Sequence, residues 1–172
     1  RRSMIRILIA DDHPIVRQGF KQVLSETADL VVADEAGNGQ EVLSLVARKD
    51  YDVILLDISM PGKNGLEVLK ELRITNTKIP VLILSIYPEE QYAIRALKAG
   101  ASGYLTKASA PEELISAIRK VSRGGKYISS SLAEKIAYEL DGDAEKAPHD
   151  TLSDREYQIL LMIASGKTVS DI

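Results

Sequence analysis

Cysteine is absent from this chain of 172 residues, and only two residues are histidines. Without thiols the chain has no disulfides, no thiolate metal site and no cysteine nucleophile, which also fits a reducing compartment. The two histidines, His13 and His149, lie far apart in the sequence, so a metal site based on histidine is not expected. We interpret His13 as a residue that shapes the first loop.

Long apolar runs and a strong excess of one charge are also missing. No apolar stretch approaches the roughly 18 residues that a membrane helix needs. The 22 Lys and Arg residues nearly balance 25 Asp and Glu residues, giving a net charge of −3, which argues against a surface devoted to nucleic acid. With 45% hydrophobic and 27% charged residues, the composition predicts a folded protein that is soluble and cytoplasmic.

The first two-thirds of the chain alternates short apolar runs with helical patterns. The strand candidates are residues 5–10, 30–33, 53–56, 81–84 and 103–105. The helical patterns begin at Pro14, after Asn38, at Leu66, at Pro88 and at Pro111, and Asn38 with Glu41 has the spacing of an N-terminal cap. Five strands that are each followed by a helix predict an α/β fold, with a parallel sheet that is doubly wound.

The last third of the chain has a different organisation. A further helix is predicted over 129–140, and residues 141–150 carry four acids and one lysine without a large apolar residue, which is typical of a solvated linker. Ser153 and Glu156 have capping-box spacing before another helical pattern. We therefore divide the chain into a domain at 4–125, a helix and linker at 126–151, and the start of a helical domain at 152–172.

Polar residues follow four of the predicted strands. They are Asp11 and Asp12, Asp57, Ser85, and Thr106 with Lys107. Since the carboxyl ends of parallel strands meet at one edge of a sheet, these side chains are expected to share a pocket. Several carboxylates with oxygen ligands only suit Mg²⁺ or Mn²⁺, and a carboxylate beside a cation and a lysine could accept a phosphoryl group.

Two other interpretations remain open for these acids. Adjacent acids after a strand are often a solvated turn or a helix cap. An aspartate-nucleophile phosphohydrolase is an alternative function, although such enzymes place two acids two residues apart on the first strand, whereas Asp11 and Asp12 are adjacent.

The motifs at these strand ends resemble those of a bacterial response-regulator receiver domain. They are Asp11-Asp12-His13-Pro14 with Arg17 and Gly19, Leu56-Asp57-Ile58-Ser59-Met60-Pro61-Gly62 with Gly65, Leu84-Ser85, and Lys107. The resemblance implies a flavodoxin-like sheet with strand order 2-1-3-4-5. The resemblance is strongest to the NarL/FixJ-like subfamily, whose members carry a LuxR-type helix-turn-helix domain. Residues 152–172 resemble the first part of that domain.

The resemblance also implies roles for individual residues. Asp57 would be the phosphoacceptor. Mg²⁺, or Mn²⁺ in its place, would be held by Asp12, by Asp11 through water, by Asp57 and by the main-chain carbonyl of Ser59. Lys107 and Ser85 would bind phosphoryl oxygens. Tyr104 would be a switch residue that turns inward with Ser85, the alternative being an ordinary strand tyrosine.

The partners follow from the same resemblance. A sensor histidine kinase would supply the phosphoryl group, and receiver helices could form a homodimer. DNA would be a partner only of the full-length parent, because the recognition helix lies beyond Ile172, so no DNA-binding residue is predicted in this chain and no membrane is expected. The protein would switch transcription and would not be an enzyme; a module that interacts without phosphorylation is the alternative.

Overall fold

The computed structural model describes residues 3–75 and 77–142. Five parallel strands form one sheet in the order β2-β1-β3-β4-β5, as predicted. In chain order the strands are β1 (Ile5–Ala10), β2 (Leu30–Ala36), β3 (Val53–Asp57), β4 (Val81–Ser85) and β5 (Gly103–Thr106). The predicted linker beyond 142 and the predicted helix-turn-helix start at 152–172 lie outside the described residues.

A helix follows each strand, and a sixth helix follows the last of these. They are α1 (Pro14–Ser25), α2 (Gly39–Arg48), α3 (Gly65–Ile74), α4 (Glu89–Lys98), α5 (Pro111–Ser122) and α6 (Ser130–Gly142). The predicted cap of α2 is confirmed, because the side chain of Asn38 accepts a hydrogen bond of 2.9 Å from the backbone N–H of Glu41. Asn64 caps α3 in the same way. Within the described residues, no helix is long and apolar enough to cross a membrane.

The sheet is buried on both faces, which explains why β3 and β4 are apolar without alternation. Side chains of one face, such as Leu8, Leu56 and Ile83, pack with residues of α2, α3 and α4. Side chains of the other face, such as Ile9 and Leu55, pack with residues of α1 and α5. The fold is therefore doubly wound, and it leaves the carboxyl ends of the strands free to form a site.

Strand β2 is longer than its pattern predicted, since it continues through Asp34 and Glu35. It is an edge strand, so these acids can point toward solvent and cations. Asp34 pairs with Lys49 and accepts a hydrogen bond from Tyr51, while Glu35 pairs with Arg17 and Lys21. These partners come from elsewhere in the chain, and they let the strand run past the point where the apolar pattern ends.

The segment after α5 packs against the sheet domain. Tyr127 makes a parallel bridge with Gly103 of β5, and its hydroxyl donates to Glu113 at 3.1 Å. Ser129 caps α6 by accepting a hydrogen bond from the N–H of Leu132. Leu132 and Ile136 of α6 are buried in the same core as α4. Helix α6 is therefore joined to the α4 side of the sheet.

Candidate functional site

Strand register brings the predicted polar residues to one edge of the sheet. Ala10 pairs with Leu56, so Asp11 lies beside Asp57 at the ends of β1 and β3. Asp57 in turn pairs with Leu84, which places Ser85 one residue further along β4. Ser85 pairs with Thr106, the residue before Lys107. Four strand ends therefore meet at one level.

Lys107 joins the two most buried carboxylates of this edge. Its Nζ lies 2.6 Å from Oδ2 of Asp11 and 3.1 Å from Oδ2 of Asp57. Both aspartate side chains are 3% exposed, and that of Lys107 is 15% exposed. One ammonium is therefore shared by two carboxylates and offsets only part of their negative charge, in a place that water barely reaches.

The protonation equilibria reflect this burial. Burial has the largest effect on the pKa of Asp57 and raises it; the charge and hydrogen bond of Lys107 lower it, the charge of Asp11 adds to the rise, and the net result is a raised pKa. Burial alone would lower the pKa of Lys107, but its hydrogen bonds and charge interactions with Asp11 and Asp57 outweigh this, so its pKa is raised. A second positive charge near Asp57 would favour its ionised form.

Asp12 offers the carboxylate oxygen that is best placed for a cation. Both oxygens of Asp11 already have partners, Lys107 on one and the backbone N–H of His13 on the other. Oδ1 of Asp12 is buried, and among the described residues it makes no hydrogen bond. A buried carboxylate oxygen that makes no hydrogen bond, beside two further carboxylates, fits a hard divalent cation with oxygen ligands. The arrangement can therefore hold such an ion.

His13 lies at the same cluster. Ligand atoms of Asp11, Asp12, His13 and Asp57 all fall within 4.8 Å of one another. The imidazole is 66% exposed, with Nδ1 2.9 Å from Oδ1 of Asp12 and 3.3 Å from Oδ1 of Asp11. Sequence analysis did not expect a metal site with histidine, because the two histidines lie far apart in the sequence, and it assigned His13 to the shape of the first loop. The structure brings the imidazole to the acids, a direction that depends on a backbone turn and leaves no signal in the residue pattern.

Ser85 and Tyr104 are connected through the backbone of Tyr87. The hydroxyl of Ser85 accepts a hydrogen bond of 3.0 Å from the N–H of Tyr87, and the hydroxyl of Tyr104 donates one of 2.8 Å to the carbonyl of Tyr87. Ser85 and Tyr104 are both fully buried, and burial raises the pKa of Tyr104. Tyr104 is therefore already buried in this structure, and the switch role that the resemblance implies, a turn inward together with Ser85, stays a prediction.

Ser59 lies two residues after Asp57, and its N–H donates to Oδ1 of Asp57 at 3.2 Å. This bond orients the carboxylate. The predicted use of the Ser59 carbonyl as a metal ligand stays a prediction.

Arg17 supports the acidic loop, a role that sequence analysis did not assign. Its guanidinium donates to the backbone carbonyl of Asp11 and pairs with Glu35 at 3.1 Å. Side chains of a helix lean toward its N-terminus, so an arginine in the first turn of α1 can reach back to the preceding loop. That position was the available signal for this contact.

Gly65, the first residue of α3, lies against the backbone of Asp57. A Cβ at Gly65 would stand 2.3 Å from the carbonyl oxygen of Asp57 and 2.9 Å from Cα of Ile58. Its N–H also donates to the carbonyl of Ile58 at 2.9 Å. The absence of a side chain at 65 therefore lets α3 begin directly behind the residue at the centre of the site.

We expect Gly65→Ala to destabilise the fold by about 2–3 kcal/mol, because its methyl group meets backbone atoms that cannot rotate away. Gly19→Ala on the exposed face of α1 is the matched control, because outside the helix's own backbone no atom lies within 4 Å of the added Cβ. We expect this substitution to raise the free energy of unfolding by about 0.5–1 kcal/mol. Urea unfolding of both variants measures the difference. Equal effects of the two substitutions would contradict the assigned contact.

Chemically, the site combines a buried carboxylate, a lysine on that carboxylate, a hydroxyl on the next strand and a place for a divalent cation. Such a set can bind a tetrahedral dianion and stabilise charge on its equatorial oxygens. Asp57 ends the strand that lies between those of Asp11 and Ser85, and its carboxylate contacts Lys107, so its predicted role as the phosphoacceptor has the surroundings that such a role needs.

Comparison with known proteins gives consistent matches. Residues 7–119 match the family model of the response regulator receiver domain. Response regulator UvrY of Escherichia coli (strain K12) is 36% identical over 170 residues, which cover 98% of this chain and 78% of the relative. Response regulator GacA of Pseudomonas aeruginosa is 38% identical over 170 residues, with 98% and 79% covered.

A solved structure agrees with these matches. The crystal structure of a two-component response regulator of the LuxR family from Aurantimonas sp. SI85-9A1 superposes with a TM-score of 0.73 at 33% identity. The similarity covers 80% of this chain and 99% of that one.

Proposed function

As a member of the response-regulator receiver family, this chain is a two-component signalling protein, and we propose that Asp57 takes its phosphoryl group from a sensor histidine kinase. The observation that carries the proposal is the position of Lys107, whose ammonium contacts Asp57 and Asp11 at the junction of four strand ends. An ammonium on the acceptor carboxylate can move to an oxygen of the incoming phosphoryl group, so charge is neutralised where it develops.

The proposed transfer is a displacement at phosphorus. An oxygen of Asp57 bonds to phosphorus while the bond to the imidazole nitrogen of the kinase histidine breaks, and that nitrogen keeps the electron pair. Lys107 orients the carboxylate before the reaction and pairs with a phosphoryl oxygen afterwards. The hydroxyl of Ser85 is proposed to exchange its bond with the Tyr87 N–H for a bond to another phosphoryl oxygen.

Mg²⁺ is the cation proposed for the site, with Mn²⁺ able to replace it. Asp12 would bind it directly through Oδ1, which makes no hydrogen bond among the described residues, Asp11 would bind it through water, and Asp57 and the Ser59 carbonyl would add oxygen ligands. When bound, the ion supplies positive charge against the phosphoryl oxygens. This charge would offset the repulsion between the acids and the incoming dianion.

The output of phosphorylation is proposed to pass through Tyr87 and Tyr104. If Ser85 leaves the Tyr87 N–H, the loop that starts α4 loses one of its two bonds to the buried strand residues. Tyr104 holds the other bond, so α4 would reposition around it. Helices of the receiver are also a proposed homodimer face, and residues 152–172 are proposed to belong to a DNA-binding domain of the LuxR-type helix-turn-helix class.

Mapping the modified residue tests the proposal. We expect acetyl phosphate with Mg²⁺ to add one phosphoryl group, and borohydride reduction followed by peptide mass spectrometry to locate it at Asp57 and not at Asp11 or Asp12. Removing divalent cations with EDTA should strongly slow the labelling, because the negative charges would then lack their cation. A label on another acid, or labelling at the same rate in EDTA, would contradict the proposal.

A further inference from the structure

We infer that His13 is a ligand at the acidic cluster for transition-metal ions, so that the site binds Co²⁺ and Zn²⁺ through nitrogen and oxygen but Mg²⁺ through oxygen alone. The inference rests on the proposed cation site and adds a residue that determines which ion occupies it. It starts from the direction of the imidazole, whose Nδ1 faces Asp11 and Asp12.

The distances match those between neighbouring ligands of one ion. Carboxylate oxygens and imidazole nitrogens bind these metals at 2.0–2.2 Å, so ligands at right angles around one ion stand about 3 Å apart. Nδ1 of His13 is 2.9 Å from Oδ1 of Asp12, and that oxygen makes no hydrogen bond among the described residues. The two atoms are therefore spaced as neighbouring ligands of one ion would be, and a neutral imidazole could exchange its present contacts with Asp12 and Asp11 for a bond to that ion.

The surroundings allow the remaining ligands. The side chain of Asp12 is 29% exposed and that of His13 is 66% exposed, so water can complete the shell from the solvent side. Lys107 holds Asp11 and Asp57 from the protein side and leaves Asp12 and His13 on the open side. An ion that enters from solvent would meet this pair first.

The chemistry of the ligands decides the selectivity. Imidazole suits Zn²⁺, Co²⁺ and related ions, whereas Mg²⁺ prefers oxygen and keeps several waters. If all protein ligands were carboxylate and carbonyl oxygens, the affinity for transition-metal ions would not depend on His13. With Nδ1 in the shell, the ratio of Co²⁺ affinity to Mg²⁺ affinity depends on this residue.

The experiment measures ion affinity in the whole chain, by titration of Co²⁺ and Mg²⁺ against thermal unfolding at one pH, with the visible absorption of bound Co²⁺ as a second signal. Loss of a residue that merely orients a ligand lowers metal affinity roughly 10–100-fold. The affinity of His13→Ala for Co²⁺ should therefore be lower than that of the wild type by at least about tenfold. Mg²⁺ affinity should stay unchanged, and the Co²⁺ spectrum should lose its nitrogen contribution.

Two controls make the result specific. His149→Ala removes the other of the two histidines, and it should leave both affinities and the Co²⁺ spectrum unchanged. Because the sequence has no third histidine and no cysteine, an imidazole signal that survives this substitution comes from His13. Asp12→Asn should weaken both ions. If Asp12→Asn leaves Mg²⁺ affinity intact, the proposed cation site itself is wrong.

Other outcomes would overturn the role of His13 while leaving the cation site in place. Equal affinities of His13→Ala and wild type for Co²⁺ would show that the imidazole is no ligand. Equal weakening of Co²⁺ and Mg²⁺ would show that His13 only shapes the loop. Stronger Mg²⁺ binding in His13→Ala would show that the imidazole competes with the ion.

Discussion

Asp57→Asn is expected to lose phosphoryl labelling completely and, at neutral pH, to be more stable than the wild-type protein. The first effect follows because the amide of asparagine lacks the anionic oxygen that attacks phosphorus. The second follows because burial raises the pKa of Asp57, which means that the fold disfavours its ionised form. An amide keeps the shape of the carboxylate without this charge, and we expect a gain on the order of 1 kcal/mol.

The pH dependence of the gain has a defined sign. The pKa of Asp57 in the folded state lies above its ordinary value of 3.8. Below pH 3.8, therefore, the contribution of Asp57 to the free energy of unfolding of the wild-type protein is fully present. The contribution is lost as pH rises through the higher folded-state pKa. Asparagine does not titrate, so the advantage of Asp57→Asn should be absent in acid and should appear as the pH rises toward neutrality.

Asp50→Asn provides the matched control, because Asp50 is exposed and lies just before β3, whose last residue is Asp57. It should accept label as the wild type does, and its free energy of unfolding should change by no more than about 0.5 kcal/mol. Intact-mass measurements and urea unfolding at several pH values supply the two readouts. An Asp57→Asn variant that is labelled, or that is less stable at neutral pH, would contradict the assigned site.

Lys107→Met should be the most destabilising change in the site. It removes the ammonium that contacts both Asp11 and Asp57. The two carboxylates, each 3% exposed, would then repel each other without a compensating positive charge. Removing one partner of a buried ion pair costs about 3–5 kcal/mol, and a loss of this size is expected here. Urea unfolding at neutral pH measures it, and labelling by acetyl phosphate should fall strongly as well.

The loss in Lys107→Met should shrink under conditions that neutralise the acids. Lower pH protonates the carboxylates, and millimolar Mg²⁺ adds positive charge beside them, so either should narrow the difference from wild type. Lys70→Met on the exposed face of α3 is the control and should be nearly neutral. A Lys107→Met variant with wild-type stability would show that the lysine does not neutralise the buried acids.

The order of strands and helices could be predicted because most of these elements are marked by residues within or next to them. Pro14 and Pro111 open helices, Asn38 caps one, and unbroken apolar runs mark the buried strands. The site could be located because a parallel sheet brings strand ends together whatever their order. Asp11, Asp57 and Lys107 therefore follow from the pattern once the sheet is accepted.

The contacts that sequence analysis missed depend on partners far away in the chain or on loop geometry. Tyr104 donates to a backbone carbonyl at Tyr87, and Tyr127 adds a bridge to the last strand, yet neither contact leaves a local pattern. The extra length of β2 depends on Lys49 and Tyr51, which neutralise and satisfy Asp34. Periodicity describes which face is buried, but it does not describe which polar atoms meet.

The close approach of Gly65 to Asp57 gives the site unequal stiffness. Behind Asp57 the start of α3 lies directly against the backbone, and the N–H of Gly65 donates to the carbonyl of Ile58, so little space separates the helix from that strand end. On the β4 side, single hydrogen bonds hold Ser85 and Tyr104 to the Tyr87 backbone. If Asp57 is phosphorylated as proposed, we expect the backbone on the β4 side to move more than the start of α3, so the direction of the response would be set by contacts that already exist without the modification.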